Sequence, residues 1–290
     1  MTRHYSRKGS SIKIKDAEVQ TEGRDLTKKF APDYPRNKDG LILFPTDDCQ
    51  ARKGLFPQLN PVEHPAKANI FLVQAIVEYV SQVGDTVMDI MAGTGTIMLA
   101  ALLGRRVVCI DIEEEYVRIM EQGAKSLEDI APGVESAITI IEGDCIKILP
   151  LPVADHIIFS PPYADIMKSK GKLSSFAKDK VPTVQRYSKH PDNISNLNEF
   201  IYHQRMEIIY KRVFDSLPVG GTLTIIIKDH IKQGKRVLLG ARAERDCIRA
   251  GFEPVGHWKW LPHGSAFTGI HKAQGWTVVE DEDVYLLRRP

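Results

Sequence analysis

Thr86-Val87-Met88-Asp89-Ile90-Met91-Ala92-Gly93-Thr94-Gly95-Thr96 is the stretch that decides the fold. An apolar run ends at an acid and passes into a tight glycine turn, and Ile97 to Leu103 then has the apolar spacing of a helix. The alternation continues outward. Arg106 to Ile112 reads as a second strand, Glu114 to Leu127 as a helix, and Ala137 to Ile141 as a third strand ending at Gly143-Asp144. His156 to Phe159 reads as a fourth strand. A helix over Leu197 to Ser216 precedes a strand at Thr222 to Lys228. Arg236 to Ala250 reads as helical, and Val255 to Leu261 and Val284 to Arg288 as the last strands. On the N-terminal side, Ile70 to Val80 fits a helix packed on a sheet, and Leu41-Ile42-Leu43-Phe44 a short strand ended by Pro45. Strands alternating with helices predict a doubly wound, mostly parallel α/β sheet.

The 290 residues accommodate one α/β domain with insertions, and a hydrophobic content of 43% is ordinary for a sizeable core. A formal net charge of +2 selects no polyanionic partner by itself. Residues 1–37 are polar, with basic and acidic residues mixed and no clear period, and read as a flexible N-terminal segment ahead of a domain over 38–290. Met1 to Lys15 lacks the apolar core of a signal peptide and no apolar run approaches ~20 residues, so a cytoplasmic chain off the membrane is expected. Cys49, Cys109, Cys145 and Cys247 are scattered without a C-x-x-C pair, which suggests neither a metal site nor a disulfide framework.

Asp89 and the turn Ala92-Gly93-Thr94-Gly95 lie between a strand and a helix, where backbone N–H groups are free to face a ligand and glycines admit close approach. The spacing is not G-x-G-x-x-G, and an acid ahead of the glycines would repel a pyrophosphate. Asp111, at the next strand tip, could grip ribose hydroxyls. Asp144, with Cys145 beside it, could accept from an adenine amino group. Three acids at successive strand tips suit a positively charged sulfonium nucleoside, although each alone also reads as a cap or turn residue. Ile157-Ile158-Phe159-Ser160-Pro161-Pro162-Tyr163 supplies the second feature: a buried strand stopped by two prolines, with Ser160 and Tyr163 held at its carboxyl end, where open α/β sheets bind ligands.

On these residues the chain resembles the S-adenosylmethionine-dependent amino-methyltransferases of DNA, which modify N4 of cytosine or N6 of adenine. The matching residues are His64-Pro65-Ala66-Lys67, Asp89 through Thr96, Gly104-Arg105 with Asp111, Gly143-Asp144 and Ser160-Pro161-Pro162-Tyr163. Tyr187-Ser188 and Asp192 to Leu197 are similar to a segment of one bacterial and phage branch. The resemblance implies a seven-stranded, Rossmann-like methyltransferase sheet and S-adenosylmethionine as cofactor. It assigns His64, Pro65 and Lys67 to the cofactor carboxylate. Two departures stand out: Ile90-Met91 replaces the usual Pro-Phe, and no segment is long enough for a large target-recognition domain.

The exocyclic amino nitrogen is a poor nucleophile because its lone pair is delocalised into the ring. Ser160 Oγ and the Pro161 carbonyl, accepting its two N–H groups, would turn that pair toward the methyl, with Pro162 stiffening the backbone and Tyr163 stacking on a flipped base. Methylation at carbon-5 would need a cysteine thiolate, usually presented after a proline, and no cysteine here follows one. Ser in place of Asp at the head of the motif favours N4 of cytosine, since that variant is commoner among the cytosine members. The loop 164–196 carries Lys168, Lys170, Lys172, Lys178, Lys180, Arg186 and Lys189 and is expected to bind phosphates of double-stranded DNA. Within it Phe176 and Tyr187 could stack, and the loop 263–275, with Phe267 and Thr268, is a second candidate for base contact. Trp258 and Trp260 are expected to pack against the sheet. An RNA amino-methyltransferase and a catalytically inactive cofactor- and DNA-binding protein remain alternatives. A partner restriction endonuclease is not inferable, and the chain is expected to act as a monomer or homodimer.

Overall fold

Successive side chains of the central strands His156–Phe159 and Thr222–Ile227 are buried at every position and alternate between two apolar layers, one on each face of the sheet. The structure, a computed structural model, describes residues 25–57, 68–163, 190–262 and 273–290, together with the backbone of two N-terminal strands. Those two, β1 (Thr2–Arg7) and β2 (Ser10–Lys15), pair antiparallel. There follow α1 (Asp48–Leu55), α2 (Ile70–Val80), β3 (Thr86–Asp89), α3 (Leu99–Leu102) and β4 (Arg106–Asp111). Next come α4 (Glu114–Glu128), β5 (Ile138–Glu142), α5 (Cys145–Ile148), β6 (His156–Phe159) and α6 (Glu199–Ser216). The chain closes with β7 (Thr222–Ile227), β8 (His230–Lys232), β9 (Lys235–Val237), α7 (Leu239–Ala250), β10 (Glu253–Trp260) and β11 (Glu282–Arg288).

The main sheet has seven strands in the order β10-β11-β7-β6-β3-β4-β5. From β7 to β5 all pairings are parallel, whereas β11 is antiparallel to both β7 and β10. The doubly wound, mostly parallel, seven-stranded Rossmann-like sheet expected from the sequence is therefore present. Ile158, Ile226 and Val284 face the layer of α2, α3 and α4. Their neighbours Ile157, Phe159, Ile225 and Ile227 face α6 and α7. Such two-sided burial is what near-continuous apolar strands encode. Trp258 stacks on Phe30 with ring centroids 4.5 Å apart, and Trp260 is buried, so both tryptophans pack as expected. Among the described residues no helix is long and apolar enough to cross a membrane.

Some boundaries differ from the sequence reading. Leu41 to Phe44 makes no strand; only Ile42 bridges, to Arg36 and Trp260, before Pro45 stops the pairing. Ile97 to Leu103 begins as a single 3-10 turn (Thr96–Met98) and continues as the four-residue α3, because the left-handed Gly95 leads directly into it. The helix expected from Arg236 starts at Leu239. Gln233 and Gly234 both have positive φ (51° and 74°), so the chain turns as a tight hairpin and Arg236 belongs to β9.

Candidate active site

The strands β3, β4 and β5 follow one another outward on one side, and the chain then returns to place β6 and β7 on the other side of β3. This reversal is the switch point at which loops leaving the carboxyl ends diverge and open a crevice. The cleft there is lined by Asp89, Gly93, Thr94, Asp111, Asp144 and Cys145 from the β3–β5 half, and by Ser160, Pro162 and Tyr163 from β6. Asp192, Asn193, Ile194 and Glu282 complete its walls.

The glycine turn is held by its own backbone and by the acids around it. Gly93 and Gly95 have positive φ (53° and 75°), and a Cβ on Gly95 would come within 2.6 Å of Met98 Cε and 2.7 Å of Met120 Cγ. Only glycine fits there without strain. The Gly95 N–H donates to the Ala92 carbonyl at 2.9 Å and the Gly93 N–H to Asp111 Oδ2 at 2.7 Å. With the Ala92 N–H donating to the Ile110 carbonyl at 3.0 Å, three of the turn's N–H groups are used internally, contrary to the expectation that they face a ligand: the tight turn needs them to hold its shape.

The acids occupy successive strand tips. Asp89 Oδ1 accepts from the Met91 N–H at 2.9 Å. Burial, with a smaller contribution from nearby Asp111, pushes the Asp89 carboxyl up to about 7 against the backbone bond. Burial likewise raises Asp111 to about 6, although the Glu113 and Gly93 N–H groups favour its charged form. Two desolvated carboxylates on one cleft suit a ligand that brings positive charge or hydroxyl donors. Asp144 caps α5, accepting from the Ile146 N–H at 2.9 Å, and its other oxygen lies 3.8 Å from Lys147 Nζ. Cys145 is buried, which pushes its thiol up to about 12 and leaves it protonated.

On the β6 side, Ser160 and Pro162 reach the cleft wall while Pro161 is buried next to them. The Tyr163 hydroxyl accepts from the Lys228 N–H at 2.8 Å, which ties the residue after the prolines to the end of β7. Ile90 is buried in the α6 layer and Met91, partly buried, packs against it.

Other residues of the sequence reading fall elsewhere. His64, Pro65, Lys67, Lys168, Lys170, Lys172, Phe176, Lys178, Lys180, Arg186, Tyr187, Lys189, Phe267 and Thr268 lie outside the described residues. Conversely, the structure adds Arg52, buried on α1, which donates to Thr96 Oγ1 at 2.8 Å and to the Ala68 carbonyl at 2.6 Å. No motif marks Arg52, since its partners are distant in sequence. Asn193 donates to Glu113 Oε1 at 3.0 Å and so links the segment after the basic loop to the β4 tip. The similarity of Asp192 to Leu197 to a family segment was a usable signal for this contact.

Sheet order, the antiparallel β11 and the cleft at the switch point define a chain of Rossmann-like methyltransferase architecture. Residues 7–122 match the N6_N4_Mtase family, described as DNA methylase. The resemblance to the amino-methyltransferases is borne out over that stretch, and with it S-adenosylmethionine as the cofactor, which the desolvated carboxylates fit. No curated protein matches. Among solved structures, TrmN from Thermus thermophilus superposes with a TM-score of 0.48 at 17% identity, over 78% of this chain and 50% of that one. This chain thus spans about half the length of TrmN. A methyltransferase from Pyrococcus furiosus gives 0.48 at 13% identity, over 84% of this chain and 98% of that one. A SAM-dependent methyltransferase from Methanosarcina mazei gives 0.47 at 14% identity, over 74% and 96%.

Proposed function

We propose that this chain is a cytoplasmic enzyme that transfers the methyl group of S-adenosylmethionine to the exocyclic amino group of a base flipped out of double-stranded DNA, with N4 of cytosine preferred to N6 of adenine. The observation that carries the reading is that one cleft joins Asp89, Asp111 and Asp144 to Ser160, Pro162 and Tyr163. The first set suits a cationic nucleoside; the second suits an amino group and a stacked base. A sulfonium methyl is already activated, so orientation of the nitrogen is the main task left to the protein.

Ser160 Oγ accepts one N–H of the amino group and the Pro161 carbonyl the other, which frees the lone pair to attack the methyl carbon. S-adenosylmethionine held beside Asp89 and Asp111 would supply an already activated methyl, the N–C bond forming as the carbon–sulfur bond breaks toward sulfur, and the amino group would give up one proton to solvent. The anchored Tyr163 offers its face to the base, and such stacking is worth ~1–3 kcal/mol. DNA as the substrate is supported by the family match, and cytosine by serine at the head of the motif.

The reading is tested by incubating the protein with labelled S-adenosylmethionine and separate DNA and RNA pools, followed by nucleoside mass spectrometry. N4-methylcytosine in DNA is expected. Label confined to RNA, or in neither pool, overturns the proposal. Charge reversal at Lys168, Lys170 and Lys172 together should weaken DNA binding and flatten its dependence on salt by about one logarithmic unit per lost phosphate contact. An unchanged salt slope would remove those lysines from the DNA interface.

A further inference from the structure

Glu282 is a carboxyl group of the cleft wall that the chemistry above does not use. β11 pairs with β7 so that Asp283 lies opposite Ile227 and Val284 opposite Ile226. Continuing that register places Glu282 opposite Lys228, at the same rim of the sheet as the end of β6. Side chains two residues apart on a strand share a face. Val284 and Ile158 both face the α2 layer. Glu282, two residues before Val284, and Ser160, two residues after Ile158, therefore stand on one side of the sheet. Both line the cleft. Strands β6 and β11 flank β7, so the two residues are separated laterally by two strand spacings, roughly 10 Å. That separation is between backbones; both side chains line the cleft, and their reach into it shortens the gap to what adjacent atoms on one edge of a nucleobase can bridge.

We propose that the Glu282 carboxyl binds the ring edge of the target base, donating in its protonated form to the ring nitrogen next to the exocyclic amine. That nitrogen is N3 in cytosine and N1 in adenine, an acceptor in both. Thymine and uracil present an N–H at the same place, so a donor here also rejects them. The inference rests on the base-methylating reading of the cleft and names the residue that selects within it.

The electrostatic setting agrees. Burial pushes Glu282 up to about 7 and neighbouring Asp283 adds to this, while Lys228 and the Trp260 indole N–H oppose it. Asp283 itself is engaged by His257 Nε2 at 2.6 Å and by Lys259 Nζ at 3.0 Å on its own side of the strand. The protonated donor form of Glu282 is consequently present up to neutral pH and lost above it.

The test compares wild type, Glu282→Gln and Glu282→Ala for methyl transfer to DNA at saturating S-adenosylmethionine across pH 6 to 9. Calorimetry of cofactor binding serves as the check on folding. For wild type, kcat/KM should fall about tenfold per pH unit above an apparent value near 7. Glu282→Gln, whose amide always donates, should lose that alkaline fall and keep activity at pH 6. Glu282→Ala should be about ten- to a hundredfold slower at pH 6, with cofactor affinity unchanged. An alkaline limb retained in Glu282→Gln, or full activity in Glu282→Ala, overturns this assignment alone. A wild type that methylates no base overturns the proposed function, and this inference with it.

Discussion

The two halves of the cleft hold their polar groups in opposite ways. On the β3–β4–β5 side, Asp89, Asp111 and Asp144 each accept the backbone N–H of the residue two positions on, and Asp111 also clamps the glycine turn. Their positions follow from the path of the main chain. On the β6–β7–β11 side, placement comes from strand pairing and from contacts between distant segments, such as Tyr163 with Lys228. The difference separates two tasks. Under the proposed function, a cofactor of fixed shape would meet the backbone-built cradle, and a base entering from outside would meet side chains on neighbouring strands.

The largest expected effect breaks the second half without touching the first. Ser160→Ala should reduce the methyl-transfer rate by about 10²–10³-fold while calorimetry shows unchanged cofactor binding. Equal turnover would remove Ser160 from the mechanism, and lost cofactor binding would show that the halves are not separable. Next in size is the support beneath the glycine turn. Arg52→Met strips donors from Thr96 Oγ1 and the Ala68 carbonyl, and should lower stability by about 2–3 kcal/mol in urea unfolding. A variant as stable as wild type would mean that the turn holds its shape without α1.

A smaller effect sharpens the cradle. Asp89 at about 7 and Asp111 at about 6 are ionised above those values, and a cation favours the ionised forms. Cofactor affinity should therefore rise as pH increases from 6 to 8, with protons released on binding at the acid end. Asp89→Asn should bind about tenfold more weakly at pH 8 and keep only the shallower dependence due to Asp111. A flat affinity profile in wild type would show that these carboxylates do not face the charged part of the cofactor.

What the sequence made legible follows the same division. The strand tips and the glycine turn are local patterns, and α2 was readable to the residue because its apolar spacing begins right after Asn69, which caps it. The Ser160 to Tyr163 motif announces itself through its prolines. Arg52 was hidden because its value depends on Thr96, 44 residues away. Glu282 was hidden because apolar periodicity starts the last strand at Val284, and its place in the cleft depends on β11 lying beside β7. The β8–β9 hairpin escaped because Arg236 continues smoothly into a helical pattern, and only the positive φ angles at Gln233 and Gly234 break it. Local chemistry could be read from the chain, but strand neighbours could not.

The most direct test of the joined cleft is nucleoside mass spectrometry of DNA from cells expressing wild type or Ser160→Ala. The account predicts N4-methylcytosine with the wild type and its loss in the variant. Equal modification in both, or no methylated amino group with the wild type, would contradict it.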